Sequence, residues 1–169
     1  EKLDTLPTQL YVSVDAPNKQ VFNKICKPKW GDAVWEKVEE TIDMLPSLDT
    51  RIVCRHTLVK GENMAKEHIA QYASIDNRAD PDFIECKGYV FVGHSRELMT
   101  IENMPWHEEI LEFAGELAPM VGRKVLDDSP PSRVALVGKE MIPIPIPEQT
   151  MFFPDDLGIA KPIRHLPMA

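Results

Sequence analysis

The sequence is short of several features that would settle its class at once. No apolar run approaches the ~18 residues of a membrane-spanning helix, and no N-terminal stretch has the basic-then-apolar layout of a secretion signal. Cysteine is scarce. Cys26, Cys54 and Cys86 are odd in number and far apart, which excludes a disulfide framework and fits a reducing, cytoplasmic setting. No set of His, Cys, Asp and Glu has metal-ligand spacing, no glycine-rich phosphate loop occurs, and no Ser-His-Asp order stands out. Positive charge is also in deficit: 19 Lys and Arg face 27 Asp and Glu, a net charge of −8. Residues 1–60 balance at 9 and 9, so the whole deficit lies beyond residue 60, where 10 basic residues face 18 acidic ones. Such a chain is a poor general binder of a phosphate backbone. The one basic cluster, Lys19, Lys24, Lys27 and Lys29, reads first as a solvated helix face.

What is present is enough for one domain. The chain has 169 residues, 43% of them hydrophobic, which supports a real core. Three runs rich in Val, Ile and aromatics predict strands at 8–14, 51–59 and 82–87, with shorter strands at 123–127 and 133–139. Helical spacing predicts helices over 17–27, 32–45, 63–75 and 104–121. Pro17 and Pro105 suit first-turn positions, and Asp32 and Asn63 suit N-caps. Strands alternating with helices imply βαβ units and a parallel sheet. From Met141 onward the chain holds six of its 15 prolines, so 141–169 is expected to be an extended tail beyond a domain at 1–140.

The stretch FIECKGYVFVGHS at 83–95 places an acid and a base, Glu85 and Lys87, on one face of a short strand, at its C-terminal end. Alternation puts Ser13, Asp15, Arg55, Thr57, Glu85 and Lys87 on matching faces of three strands, while Leu10, Val12, Val14, Ile52, Cys54, Ile84 and Cys86 take the other. A sheet covered on both sides would show near-continuous apolar strands. A closed or nearly closed barrel is the expected alternative, with helices outside and polar side chains lining the C-terminal mouth. The same charges also suit a plain ion-pair network, for example Glu85 with Arg55. Three strands and two short ones do not close a barrel of eight. The chain therefore reads as half a barrel whose open edge needs further chain or a partner.

Several motifs carry a resemblance. LYVSVDAPNKQVFNKIC and RHTLVKGEN resemble consecutive strand exits of radical S-adenosylmethionine (SAM) enzymes. PDFIECKGYVFVGHS, MPWHEEILEFA and DDSPPSRVALV are more specific and resemble the archaeal 4-demethylwyosine synthase family of the wybutosine pathway, over roughly residues 5–138. The resemblance implies an α/β fold, the C-terminal half of a partial (β/α) TIM-like radical SAM barrel. It implies an enzyme that condenses pyruvate with N1-methylguanosine in phenylalanine tRNA, using SAM and two [4Fe-4S] clusters. CxxxCxxC and the second cluster's cysteines are absent here. The expectation is thus a fragment, inactive alone, partnered by the N-terminal half of the same protein, monomeric and away from membranes.

The implied roles follow. Ser13 and Asp15 would contact the SAM amino and carboxylate groups, Arg55 and Thr57 a carboxylate or ribose, and Asn63 the ribose or adenine. Lys87, beside Glu85, would hold a carboxylate substrate as a cation, or form a Schiff base if deprotonated. Gly88, expected to permit an unusual backbone angle, would open a mouth loop in which Tyr89, His94 and Ser95 grip the target base. Asp15 is equally a candidate cap for the 17–27 helix, and His107 reads as structural. Two other readings stand beside this one: a cluster-free aldolase-type lyase using Lys87, and a non-catalytic RNA- or partner-binding half-barrel.

Overall fold

The computed structural model describes residues 5–31 and 33–143. The elements run β1 (Gln9–Ser13), α1 (Lys19–Cys26), α2 (Ala33–Met44), β2 (Arg51–Leu58), α3 (Lys66–Ala79), β3 (Phe83–Gly88), α4 (His107–Met120), β4 (Lys124–Ser129) and β5 (Val134–Gly138). Each predicted strand and helix is found within a few residues of its expected place. Helix starts moved. Pro17 and Pro105 precede the capping residues Asn18 and Trp106, and the Asn18 side chain, not Asp15, accepts from Val21 N. Asn63 does not cap α3, whose N-cap is Ala65. The Asp32 cap and the tail beyond Pro143 lie outside the described residues.

The five strands form one open sheet, in the order β1-β2-β3-β5-β4. β1, β2 and β3 are parallel, as the alternating pattern requires, but β5 runs antiparallel to both β3 and β4. The open edge expected of half a barrel is present among the described residues, but the expectation of a wholly parallel sheet is corrected to a mixed one. The cause is the β4–β5 connection: a 3-10 turn at Pro130–Ser132 plus Arg133. A parallel crossover needs a dozen residues or more, so this turn can only return the chain antiparallel.

All four helices pack on one face. Val14, Ile52 and Cys54 meet Val21, Trp35, Ile42 and Ile75 in one apolar cluster. Leu58, Ile84, Cys86, Ala135 and Val137 meet Ile69, Tyr72, Ile110, Phe113 and Leu117 in the other. Cys54 and Cys86 are core residues, as expected, whereas Cys26 at the end of α1 is exposed. Burial pushes the Cys54 thiol up to about 12 and Cys86 higher still, so neither is a thiolate nucleophile or ligand at neutral pH. The opposite face carries no helix among the described residues. Its lower end is closed by its own side chains: Phe83 lies across Gly138, where an added Cβ would sit 2.9 Å from the ring, and Arg51 stacks on Phe83.

Candidate functional site

The C-terminal ends of β1, β2 and β3 meet in register on the uncovered face. Ser13 is beside Arg55, Arg55 beside Glu85, and Thr57 beside Lys87. These strands are parallel, so their polar ends gather at one mouth. Arg55 Nε donates to Glu85 Oε1 at 2.7 Å, and its guanidinium lies 4.7 Å from the Tyr11 ring centre. The ion pair anticipated between these residues is present, and Glu85 is committed to Arg55 rather than to Lys87. Lys87 has no carboxylate within ion-pair distance among the described residues and remains half-buried at the mouth. Its ammonium is a positive charge without an ion-pair partner at the mouth, among the described residues.

Beside Lys87 a cavity of about 380 Å³ opens between the strand ends and the loop after β3. Asp15, Thr57, Tyr89 and Ser95 line it together with Ile25, Cys26, Val59, Leu98 and Met99. Its size and mixed lining suit a small molecule. Four expected site residues thus converge here. Asp15 Oδ1 accepts from Thr57 N at 3.3 Å, and the Tyr89 hydroxyl donates to Ser95 Oγ at 2.8 Å, which folds the loop inward.

Seven expected residues do not line it: Ser13, Arg55, Glu85 and Lys87 sit on the neighbouring strand positions, and Asn63, Gly88 and His94 are placed otherwise. Asn63 is fully buried: its Oδ1 accepts from Val59 N, and its Nδ2 donates to the carbonyls of Asp15 and Thr57. It is a strut under the mouth rather than a ligand contact, because no polar atom is left facing the cavity. Gly88 has no positive φ. It is glycine because a Cβ would come within 3.3 Å of Arg133 Cβ and Pro105 Cγ, on the helix side. His94 is exposed and faces Glu97 at 3.3 Å.

A pair that sequence reading missed lies directly beneath. His56 and Asp76 are both 0% exposed. His56 Nδ1 donates to the Val14 carbonyl at 2.9 Å, and Nε2 lies 2.9 Å from Asp76 Oδ2. Burial opposes the imidazole charge, but the Asp76 carboxylate and the Val14 carbonyl outweigh it, so the His56 pKa is raised. With an acceptor at each ring nitrogen, the charged form of the ring is favoured. The only signal for it was a histidine at an inward position of β2, between Cys54 and Leu58. His107, expected to be structural, ties α4 to β4 through Asp128 at 2.7 Å.

Among the described residues no group of three His, Cys, Asp or Glu is placed to hold a metal ion. With Cys54 and Cys86 turned into the core, the residues described do not fit an iron–sulfur cluster. No helix of the described residues is long and apolar enough to cross a membrane.

Comparison with known proteins supplies the family. The wyosine base formation family matches residues 78–139, from the end of α3 through β5. The S-adenosyl-L-methionine-dependent tRNA 4-demethylwyosine synthase of Pyrococcus abyssi is 44% identical over 140 residues, which cover 82% of this chain and 40% of the relative. A structure of TYW1 with a lysine-pyruvate adduct bound superposes with a TM-score of 0.69 at 36% identity, over 80% of this chain and 43% of that one. A crystal structure of archaeal TYW1 gives 0.61 at 34% identity, over 79% and 40%. Sequence and overall superposition therefore agree: the chain is a homologue of the tRNA 4-demethylwyosine synthases and spans about 40% of the length of the archaeal relatives it matches.

Proposed function

We propose that this chain is the C-terminal half of a radical SAM tRNA 4-demethylwyosine synthase, which condenses pyruvate with N1-methylguanosine in phenylalanine tRNA. One observation carries the reading. The sheet collects its polar side chains at the C-terminal ends of three parallel strands, on the face that no described helix covers. A half-barrel closing against an N-terminal half would place that face in its lumen. The iron–sulfur clusters belong to that other half, since the residues described here cannot ligate them.

In this reading the cavity lined by Asp15, Thr57, Val59 and Tyr89 takes SAM, which supplies the radical when bound. Asp15 suits the amino group of the ligand, and Thr57 its polar edge. Lys87 holds the pyruvate carboxylate by charge. The Arg55–Glu85 pair keeps the strand ends rigid and leaves Lys87 without a competing acid. Ser95, drawn in by Tyr89, closes the loop over the mouth.

The affinity of this chain for S-adenosylhomocysteine, a stable stand-in for SAM, tests the cavity. Asp15→Ala should weaken it about tenfold, and an unchanged affinity would remove Asp15 from the site. Borohydride treatment with pyruvate tests Lys87. A charge role predicts no covalent adduct there by mass spectrometry. The lysine-pyruvate adduct in a solved relative gives the second reading its footing. A trapped adduct at Lys87 would replace the charge role with a Schiff base.

A further inference from the structure

The geometry points to Trp106 and Arg133 as a stacking platform for one unpaired RNA base at the rim of the mouth. It rests on the reading that the parent protein acts on tRNA. Trp106 is 64% exposed, an expensive place for an indole at the start of a helix that otherwise packs well. Yet it is held firmly. Its backbone N–H donates to Glu109 Oε2 at 2.8 Å, while Glu109 Oε1 pairs with Lys60 at 2.5 Å. The Arg133 guanidinium lies 5.3 Å from the centre of the indole, and its Nη1 donates to the Pro105 carbonyl at 3.0 Å.

Arg133 occupies a left-handed backbone position, with φ of 50°, where glycine would be unstrained. A large side chain at such a turn needs a use, and here it is to support one side of the ring. The platform is continuous with the site. The Arg133 carbonyl accepts from Gly88 N at 2.8 Å, and Gly88 directly follows Lys87. Because β4 runs parallel to β3, its exit at Ser129 rises at this same end.

One fixed aromatic ring backed by a planar cation matches the flat face of a nucleobase, and stacking of this kind tolerates any sequence. A protein partner is less well matched. The neighbours of the ring in sequence, His107 and Glu108, are polar, and His107 is already paired with Asp128. The acidic balance of the chain argues against phosphate-driven binding, so the contact should depend weakly on salt.

The test is a titration of this chain with heptauridylate, a single-stranded RNA. Tryptophan emission reports stacking, and anisotropy of a labelled oligomer reports affinity. Wild type and Trp30→Phe, which removes the other exposed tryptophan, should be quenched alike. Trp106→Phe should bind within about threefold but lose the quench, since phenylalanine still stacks. Trp106→Ala should bind about tenfold more weakly. The platform is wrong if Trp106→Ala binds as wild type does, or if wild type shows no binding. Self-association of the chain that Trp106→Ala abolishes would reassign the ring to a protein contact. Neither Asp15 nor Lys87 enters this assay. A failure here therefore leaves the proposed function standing, and a failure there leaves the quench intact.

Discussion

The two faces of the sheet differ in how they handle polar groups. On the helix-covered face of β1, β2 and β3 every residue that meets the helices is apolar except His56, and that one histidine is answered on both ring nitrogens. On the uncovered face polar residues gather toward the mouth, and the pairing is looser: Arg55 is 34% exposed, and Lys87 has no ion-pair partner among the described residues. Burial leaves no room for an unsatisfied charge, so the covered face must be complete within the chain. The uncovered face can leave groups available for a ligand.

That contrast is broken most strongly by removing Asp76. Asp76→Ala breaks a fully buried pair and leaves His56 Nε2 without its partner, and should cost about 3–5 kcal/mol in urea unfolding. Replacing both His56 and Asp76 by leucine should recover much of the loss, and a double variant as weak as the single one would count against the pair. The pair also sets a pH dependence. Its raised imidazole pKa contributes stability that is fully present below the ordinary value of 6.5 and lost as pH rises through the folded-state value. Unfolding free energy from this source should therefore fall on the alkaline side, and Asp76→Asn should flatten the slope.

A smaller effect is expected where the uncovered face closes on itself. Gly138→Ala would drive a methyl group to 2.7 Å from Leu126 and 2.9 Å from the Phe83 ring, and should cost about 1–3 kcal/mol in thermal melts. The smallest belongs to the mouth. Arg55→Met should cost about 1–2 kcal/mol, because Arg55 is 34% exposed although the Glu85 side chain, 12% exposed, loses its partner. A loss as large as that of Asp76→Ala would erase the distinction between the faces.

The alternation of β1, β2 and β3 was legible because a pleated strand repeats every two residues, whatever surrounds it. It assigned Leu10, Ile52 and Ile84 to one face and Arg55, Glu85 and Lys87 to the other, as the structure has them. The antiparallel return of β5 was not legible from strand pattern, since that pattern carries no direction. Nor was the burial of Asn63. Its position before a helix suggested a cap, but its amide is taken by the backbone of Val59, Asp15 and Thr57.

By itself, the sequence determined which residues form strands and helices, which face of each strand is apolar, and, through its motifs, the family. These follow from local periodicity and residue type. Tertiary structure alone decided that β5 returns antiparallel beside β3, that the Asn63 amide is spent on the backbone under the mouth, and that His56 meets Asp76 20 residues later in the chain. The reason is physical. Hydrogen bonds and ion pairs act over about 3 Å in space, and only packing decides which distant side chains come that close.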